Sequence, residues 1–258
     1  MHLSLKKFRR RLTAAIKRKL SCPDAWADIL DLLRADAQIT YCDIGAHIGE
    51  TVERIHSEVP NRILAFEPTP SSFQKLQKRF PHASIQEPGT KNQELKTKNQ
   101  ELRKIFLIPL AISDSCRKAT FWINSNEQTN SLCDNAEGNK SSFTSATQHK
   151  EAVEVQVVSF DAWATNDPFQ SPKYFFKLDV QGEELRALQG ANESLARAVG
   201  VYAECPLEPM YENQAHFWEI HQFLLSKGFY LRNLYPCFHD PHGRAVQTDA
   251  LWLRDAKP

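Results

Sequence analysis

The chain has 258 residues, of which 41% are hydrophobic and 24% charged, with a formal net charge of +1. These are ordinary values for a globular protein, long enough for one large α/β domain that buries roughly three quarters of its extended surface. They exclude a chain that binds nucleic acid through its overall charge. The six cysteines, Cys22, Cys42, Cys116, Cys133, Cys205 and Cys237, form no Cys-x-x-Cys pair, so neither a zinc ribbon nor a thioredoxin-type motif is supported. No signal peptide and no membrane-spanning apolar run is read, and a reduced, cytoplasmic location is expected.

Residues 1 to 20 carry eight lysines and arginines and no acid, and Leu5, Phe8, Leu12, Ala15 and Ile16 recur at helical spacing. The preferred reading is a helix that packs Phe8 and Leu12 on its own domain with a solvated basic face. The alternative is a helix lying on an anionic membrane surface or an acidic partner. Residues 1–37 are thus read as a basic, amphipathic N-terminal segment and 38–258 as the main domain. Pro23 and Asp24 mark a helix start, with Trp26, Ile29, Leu30 and Leu33 on one face. A strand at Ile39–Asp43, a glycine-bearing turn and a helix near Glu50–Ser57 follow. A second strand at Arg62–Phe66 ends at Glu67-Pro68, and Ser71, Phe73, Leu76 and Phe80 mark another helix.

The next strand, Ile105–Pro109, is delayed by a tandem heptad duplication at residues 90–103. One apolar residue in seven is too few for a coiled-coil seam, so a polar surface insertion is expected. Strands near Ala119–Ile123 and Val153–Val158 flank a polar stretch, Asn124–Lys150, long enough to be a lid or substrate loop. Tyr174–Leu178 and Gly200–Ala203 are buried strands, and a helix at His216–Leu225 leads to an antiparallel pair, Phe229–Leu234 and Thr248–Leu253. This alternation predicts a Rossmann-like α/β fold with a mostly parallel sheet and helices on both faces.

Asp43, Glu67, Asp179 and Glu204 each stand at the end of a strand. Ligands of open parallel sheets bind at those ends, beside the point where strand order reverses. The first turn, Asp43-Ile44-Gly45-Ala46-His47-Ile48-Gly49, permits close backbone approach but is not a dinucleotide fingerprint, because His47 replaces the middle glycine. Asp43 below it would repel a pyrophosphate. S-adenosylmethionine carries an ammonium and a sulfonium and no phosphate, so acidic walls suit it. Glu67, about twenty residues on, is placed to grip ribose hydroxyls.

The segments Asp43–Gly49, Ala65-Phe66-Glu67-Pro68, Pro109–Asp114 and Lys177-Leu178-Asp179-Val180-Gln181-Gly182-Glu183, in this order, resemble the FkbM-type methyltransferases. Asn130-Ser131-Leu132 and Val158-Ser159-Phe160-Asp161 resemble that family as well, and the similarity spans roughly residues 38 to 253. The resemblance implies a class I methyltransferase fold, with a seven-stranded sheet whose last strand is antiparallel, and usually methylation of a hydroxyl oxygen. It implies that Asp43, Gly45, Ala46, His47 and Gly49 cradle the methionine half of S-adenosylmethionine, that Glu67 and Pro68 lie at the ribose, and that Ile112, Ser113 and Asp114 lie near adenine. His47, often asparagine in the family, and Gln181, often glutamate, depart from its pattern.

In-line methyl transfer needs an acceptor oxygen held behind the methyl and a group to take its proton. Asp179 and Glu204 are the candidate bases, with His47 as runner-up, and Glu183 is a candidate for orienting the acceptor. Asn130 and Ser131, with Trp122 and Phe143, are expected at the acceptor pocket. Lys177 is read equally well as structural. No metal is expected, and His239-Asp240-Pro241-His242 is read as a hairpin turn. The expected partner is a small-molecule or glycan acceptor and not nucleic acid. A nicotinamide-dependent oxidoreductase and a non-catalytic cofactor-binding or scaffold protein are the alternatives.

Overall fold

The computed structural model describes residues 24–86, 105–135, 148–167 and 171–254. The basic N-terminal segment, the heptad duplication and Phe143 lie outside the described residues. The first described helix, α1 (Ala25–Ala35), is capped by the Asp24 carboxylate, which accepts the Trp26 N–H, and it buries Ile29, Leu30 and Leu33. Strand β1 (Ile39–Ile44) follows, buried along its whole length as expected for the middle of a parallel sheet. Helix α2 (Glu50–Glu58), strand β2 (Ile63–Phe66) and helix α3 (Pro70–Arg79) come next, then strands β3 (Ser84–Ile85) and β4 (Ile105–Ile108).

Three strands then leave the main sheet. β5 (Ala111–Ser113) pairs parallel with β7 (His149–Ser159), and β6 (Arg117–Asn124) pairs antiparallel with β7. Ala111, Phe121, Val155 and Val157 make a small apolar core of their own there. The chain re-enters the main body through helix α4 (Phe160–Ala164), strand β8 (Lys173–Leu178), helix α5 (Glu184–Gln189) and strand β9 (Ala198–Pro206). Helix α6 (Phe217–Ser226) precedes β10 (Tyr230–Leu234), β11 (Phe238–His239) and β12 (Ala245–Leu253).

The main sheet runs β10-β12-β9-β8-β1-β2-β4-β3, with β11 on β12. Seven of these strands give the expected sheet, with β12 antiparallel to both β9 and β10. The two-residue strands β3 and β11 raise the count to nine among the described residues, and neither is long enough to show a period in sequence. The turn before β12 is the expected one. Asp240 accepts the backbone N–H of His242 and Arg244, and Gly243 has a φ of 81°.

Alternating side chains divide the core between the two faces of the sheet. Cys42, Ile44, Phe66, Phe176 and Leu178 pack with Phe160, with Ala187 and Leu188 of α5 and with Phe217, Ile220 and Leu224 of α6. Tyr41, Ile63, Ala65 and Phe175 pack with Ile29 and Leu33 of α1, Val52 and Ile55 of α2, and Phe73 and Leu76 of α3. The small sheet is docked where α5 ends. A Cβ on Gly190 would lie 1.9 Å from the Ser113 carbonyl oxygen, so the two backbones touch there. Gly190→Ala must push β5 off α5 and is expected to cost about 1–3 kcal/mol, read as a lower urea midpoint with an unchanged slope. Wild-type stability in that variant would show that the contact yields freely.

Candidate active site

Strand order reverses between β1 and β8, the place where open α/β sheets bind ligands. A cavity of about 500 Å³ opens there, within the range of small-molecule sites. It crosses the carboxyl ends of β2, β1, β8 and β9, a span of three strand spacings or roughly 14 Å.

At the β2 end, Glu67 is buried and lines the cavity. Its carboxylate accepts the backbone N–H of His47 and of Thr69, both at 2.9 Å, and the Thr69 hydroxyl. Burial raises its pKa, and these hydrogen bonds oppose the rise. Phe66, Pro68, Leu110, Ala111 and Ile112 form an apolar slot beside it. The Gly45–Gly49 turn closes this end. Gly45 has a φ of 85°, and a Cβ there would strike the Asp179 carbonyl at 1.9 Å, so its smallness serves the packing of β1 on β8. Ala46 and His47 line the cavity, and His47 keeps a left-handed φ of 48°.

Between the two ends lies a buried ion pair. Lys177 Nζ is 3.0 Å from Asp43 and 3.5 Å from Asp179, and it donates to the Gly45 carbonyl at 3.1 Å. Burial works against the lysine charge, but Asp43 and Asp179 overcome it and hold its pKa above the ordinary value. Asp43 is raised by burial and restrained by Lys177.

At the β9 end, the Gln181 amide nitrogen bridges two carboxylates, donating to Asp179 at 2.9 Å and Glu204 at 2.7 Å. Its oxygen accepts from the Tyr211 hydroxyl at 2.9 Å. Burial, then the nearby charges of Asp179, Glu184 and Asp249, push Glu204 well above the usual carboxylate range. Met210, Phe238, Gln247 and Asn130 complete this half of the wall, and Phe238 is 59% exposed at its mouth.

Gly45, Ala46, His47, Glu67, Pro68, Ile112, Asn130, Asp179 and Glu204 are thus brought together on one cavity. Asp43, Gly49, Ser113, Asp114, Ser131 and Glu183 stand behind its wall. Gly49 starts α2 with a φ of 84° and abuts Leu76 and Phe80. Ser113 donates to Glu183 at 2.6 Å, Asp114 pairs with Arg117, and Ser131 donates to the Gln181 carbonyl. Glu183 pairs with Arg186 at 2.7 Å and so braces α5 against β5 rather than facing the cavity. Trp122 stacks on His149, and Phe121, one residue earlier, lines the cavity instead. Thr69, Lys177, Gln181, Glu127, Met210 and Phe238 were not picked out as site residues by sequence. Only Lys177 and Gln181 carried a signal, since both sit in the motif that ends β8.

Residues 43–231 match the Methyltransferase FkbM domain, well over half of the chain. The chain belongs to the FkbM methyltransferase family. It is accordingly an S-adenosylmethionine-dependent methyltransferase. No curated protein matches it. Among solved structures it is similar to a candidate rRNA methylase from Clostridium thermocellum, at 9% identity and a TM-score of 0.47, covering 93% of this chain and 100% of that one. An rRNA methylase from Streptococcus thermophilus aligns at 9% identity and a TM-score of 0.45, over 91% and 98% of the two chains. A TehB-like SAM-dependent methyltransferase from Corynebacterium glutamicum aligns at 11% identity and 0.39, over 98% of each. No helix among the described residues of this FkbM-family chain is long and apolar enough to cross a membrane.

The acid cluster has a measurable consequence. Glu184 is buried beneath the cavity floor and accepts the backbone N–H of Val180 and Gly182, and burial pushes its pKa up to about 7. The folded state therefore keeps a proton that the unfolded chain releases near pH 4.3. This contribution is fully present below that pH and is lost as pH rises through about 7, a change of about 4 kcal/mol. Glu184→Gln keeps an oxygen for the two N–H groups and is expected to flatten the fall in stability between about pH 4 and 7. An unchanged slope in urea titrations would place the source elsewhere.

Proposed function

We propose that this methyltransferase transfers the methyl of S-adenosylmethionine to a hydroxyl oxygen of a small neutral acceptor such as a sugar or a specialised metabolite. The observation that carries this reading is the carboxylate pair Asp179 and Glu204, held on one amide nitrogen of Gln181 at the opposite end of the cavity from Glu67. The residues fit the cofactor. The apolar slot at Leu110–Ile112 suits a flat heterocycle, and Glu67 on the same cavity offers a carboxylate to ribose hydroxyls. The turn Gly45–His47 and the half-exposed Asp179 suit the methionine chain and its ammonium. Bound there, the cofactor supplies an electrophilic methyl on a positively charged sulfur.

A hydroxyl is a poor nucleophile until its proton has somewhere to go. Glu204, on the cavity wall and held by the Gln181 amide at 2.7 Å, receives that proton at its carboxylate. Gln181 keeps Glu204 and Asp179 in place without neutralising either. Asn130, Met210 and Phe238 orient the acceptor and exclude water. Glu50, Glu127, Asp179 and Glu204 on the wall disfavour a phosphate-rich acceptor, which supports a small neutral molecule over RNA.

The test joins calorimetry with S-adenosylhomocysteine to methyl-transfer assays on sugar, phenol and RNA acceptors, with the product linkage read by mass spectrometry and NMR. Glu67→Ala is expected to weaken cofactor binding by at least about tenfold, since charged hydrogen bonds contribute about 1.5–3 kcal/mol. Glu204→Gln is expected to keep that affinity and lose about 10²–10⁴ in turnover. Unchanged affinity in Glu67→Ala would remove the ribose assignment. A methyl found on nitrogen, carbon or RNA would overturn the acceptor assignment.

A further inference from the structure

One wall of the cavity is a short strap of which the methyl-transfer reading uses only Asn130 and the charge of Glu127. Asn126–Asn130 follows the end of β6 and lines the cavity across from His47. The strap is internally stiff. Asn126 accepts the Gln128 N–H at 3.1 Å, the Asn124 N–H donates to Asn130 at 2.8 Å, and the Tyr211 hydroxyl donates to the Thr129 carbonyl at 3.0 Å.

Glu127 at its tip meets two groups from the opposite side. Its Oε2 pairs with Lys75 Nζ of α3 at 2.6 Å, and both side chains are half-exposed, so the pair is weak and easily reopened. The same oxygen stands 3.8 Å from His47 Nε2. That ring nitrogen is buried and has no hydrogen-bond partner among the described residues. A buried polar atom left unpaired is costly, and here the missing partner stands just beyond bonding range. An approach of roughly 1 Å would bring the two to ordinary hydrogen-bond length.

We propose that Asn126–Asn130 is a gate that closes over the bound cofactor, with His47 and Glu127 as its catch. The proposal rests on the reading of this cavity as the cofactor site. It makes His47 a positioning residue. Its backbone N–H anchors Glu67 while its ring reaches the strap, which accounts for an imidazole at a left-handed turn position where a shorter side chain would suffice for the turn alone.

The experiment is stopped-flow release of S-adenosylhomocysteine from the full chain and from Glu127→Ala, His47→Asn and the double variant. Asparagine tolerates the turn conformation but is too short to reach the strap. Each single variant is expected to release the ligand about 3- to 10-fold faster, and the double variant no faster than the quicker single. Melting temperatures of the ligand-free proteins are expected to differ little, because the Lys75 pair lost in Glu127→Ala is half-exposed and the His47 bond forms only on closure. Glu127→Gln, which keeps an oxygen for His47, is expected to restore most of the slow release. Wild-type release rates in both single variants, or effects that multiply, would overturn the gate alone. A wild type that binds no S-adenosylhomocysteine would remove the cofactor reading, and the gate with it.

Discussion

Lys177 and Asp43 face each other in register on adjacent parallel strands, and neither has an independent place inside the protein. Desolvating one charge alone is far more costly than desolvating the pair, and losing one partner of such a pair costs about 3–5 kcal/mol. Their contact therefore fixes the carboxyl ends of β1 and β8 relative to each other, at the point where the sheet reverses its order. Lys177 also reaches the Gly45 carbonyl and Asp179, so the turn after β1 and the turn after β8 are tied to the same ammonium. The cavity exists because those two turns diverge from one fixed point.

Each of the two turns carries a non-glycine residue at positive φ, His47 at 48° and Gln181 at 52°. Such conformations persist only where surroundings over-determine them, and both of these residues face the cavity. At 181 the amide is electrostatically intelligible. A glutamate there would set a third carboxylate between Asp179 and Glu204, whereas the glutamine amide donates to both. The amide thus lets two acids stand close together without a cation between them.

Much of this was legible in the chain. Strand-end acids at Glu67, Asp179 and Glu204 follow from where buried apolar runs stop, and the parallel sheet follows from their alternation with helical patterns. What escaped was set by contacts distant in sequence. Glu183 and Glu184 are neighbours of identical chemistry, and their roles are assigned by Ser113 and Arg186 in one case and by two backbone N–H groups in the other. The alternation in β6 showed two faces but not which one met the cavity, and a shift of one residue exchanges Trp122 for Phe121. The strap and Phe238 lie in segments without period, where side-chain direction is decided entirely by what the chain meets.

The placing of β12 has a bearing on how the protein is made. It is the last described strand, yet it lies between β9 and β10 and sets Asp249 directly opposite Glu204. During synthesis β9 and β10 therefore emerge without the neighbour that joins them, and their backbone edges stay open until the final strand slides between them. Trp252, fully buried against Phe217, can settle only then. The end of the cavity around Glu67 is built from segments that leave the ribosome earlier, while the end around Glu204 waits for β12. A nascent chain would thus shape one end of its cavity before the other, and one interrupted before β12 would carry half a cavity and an unsealed sheet.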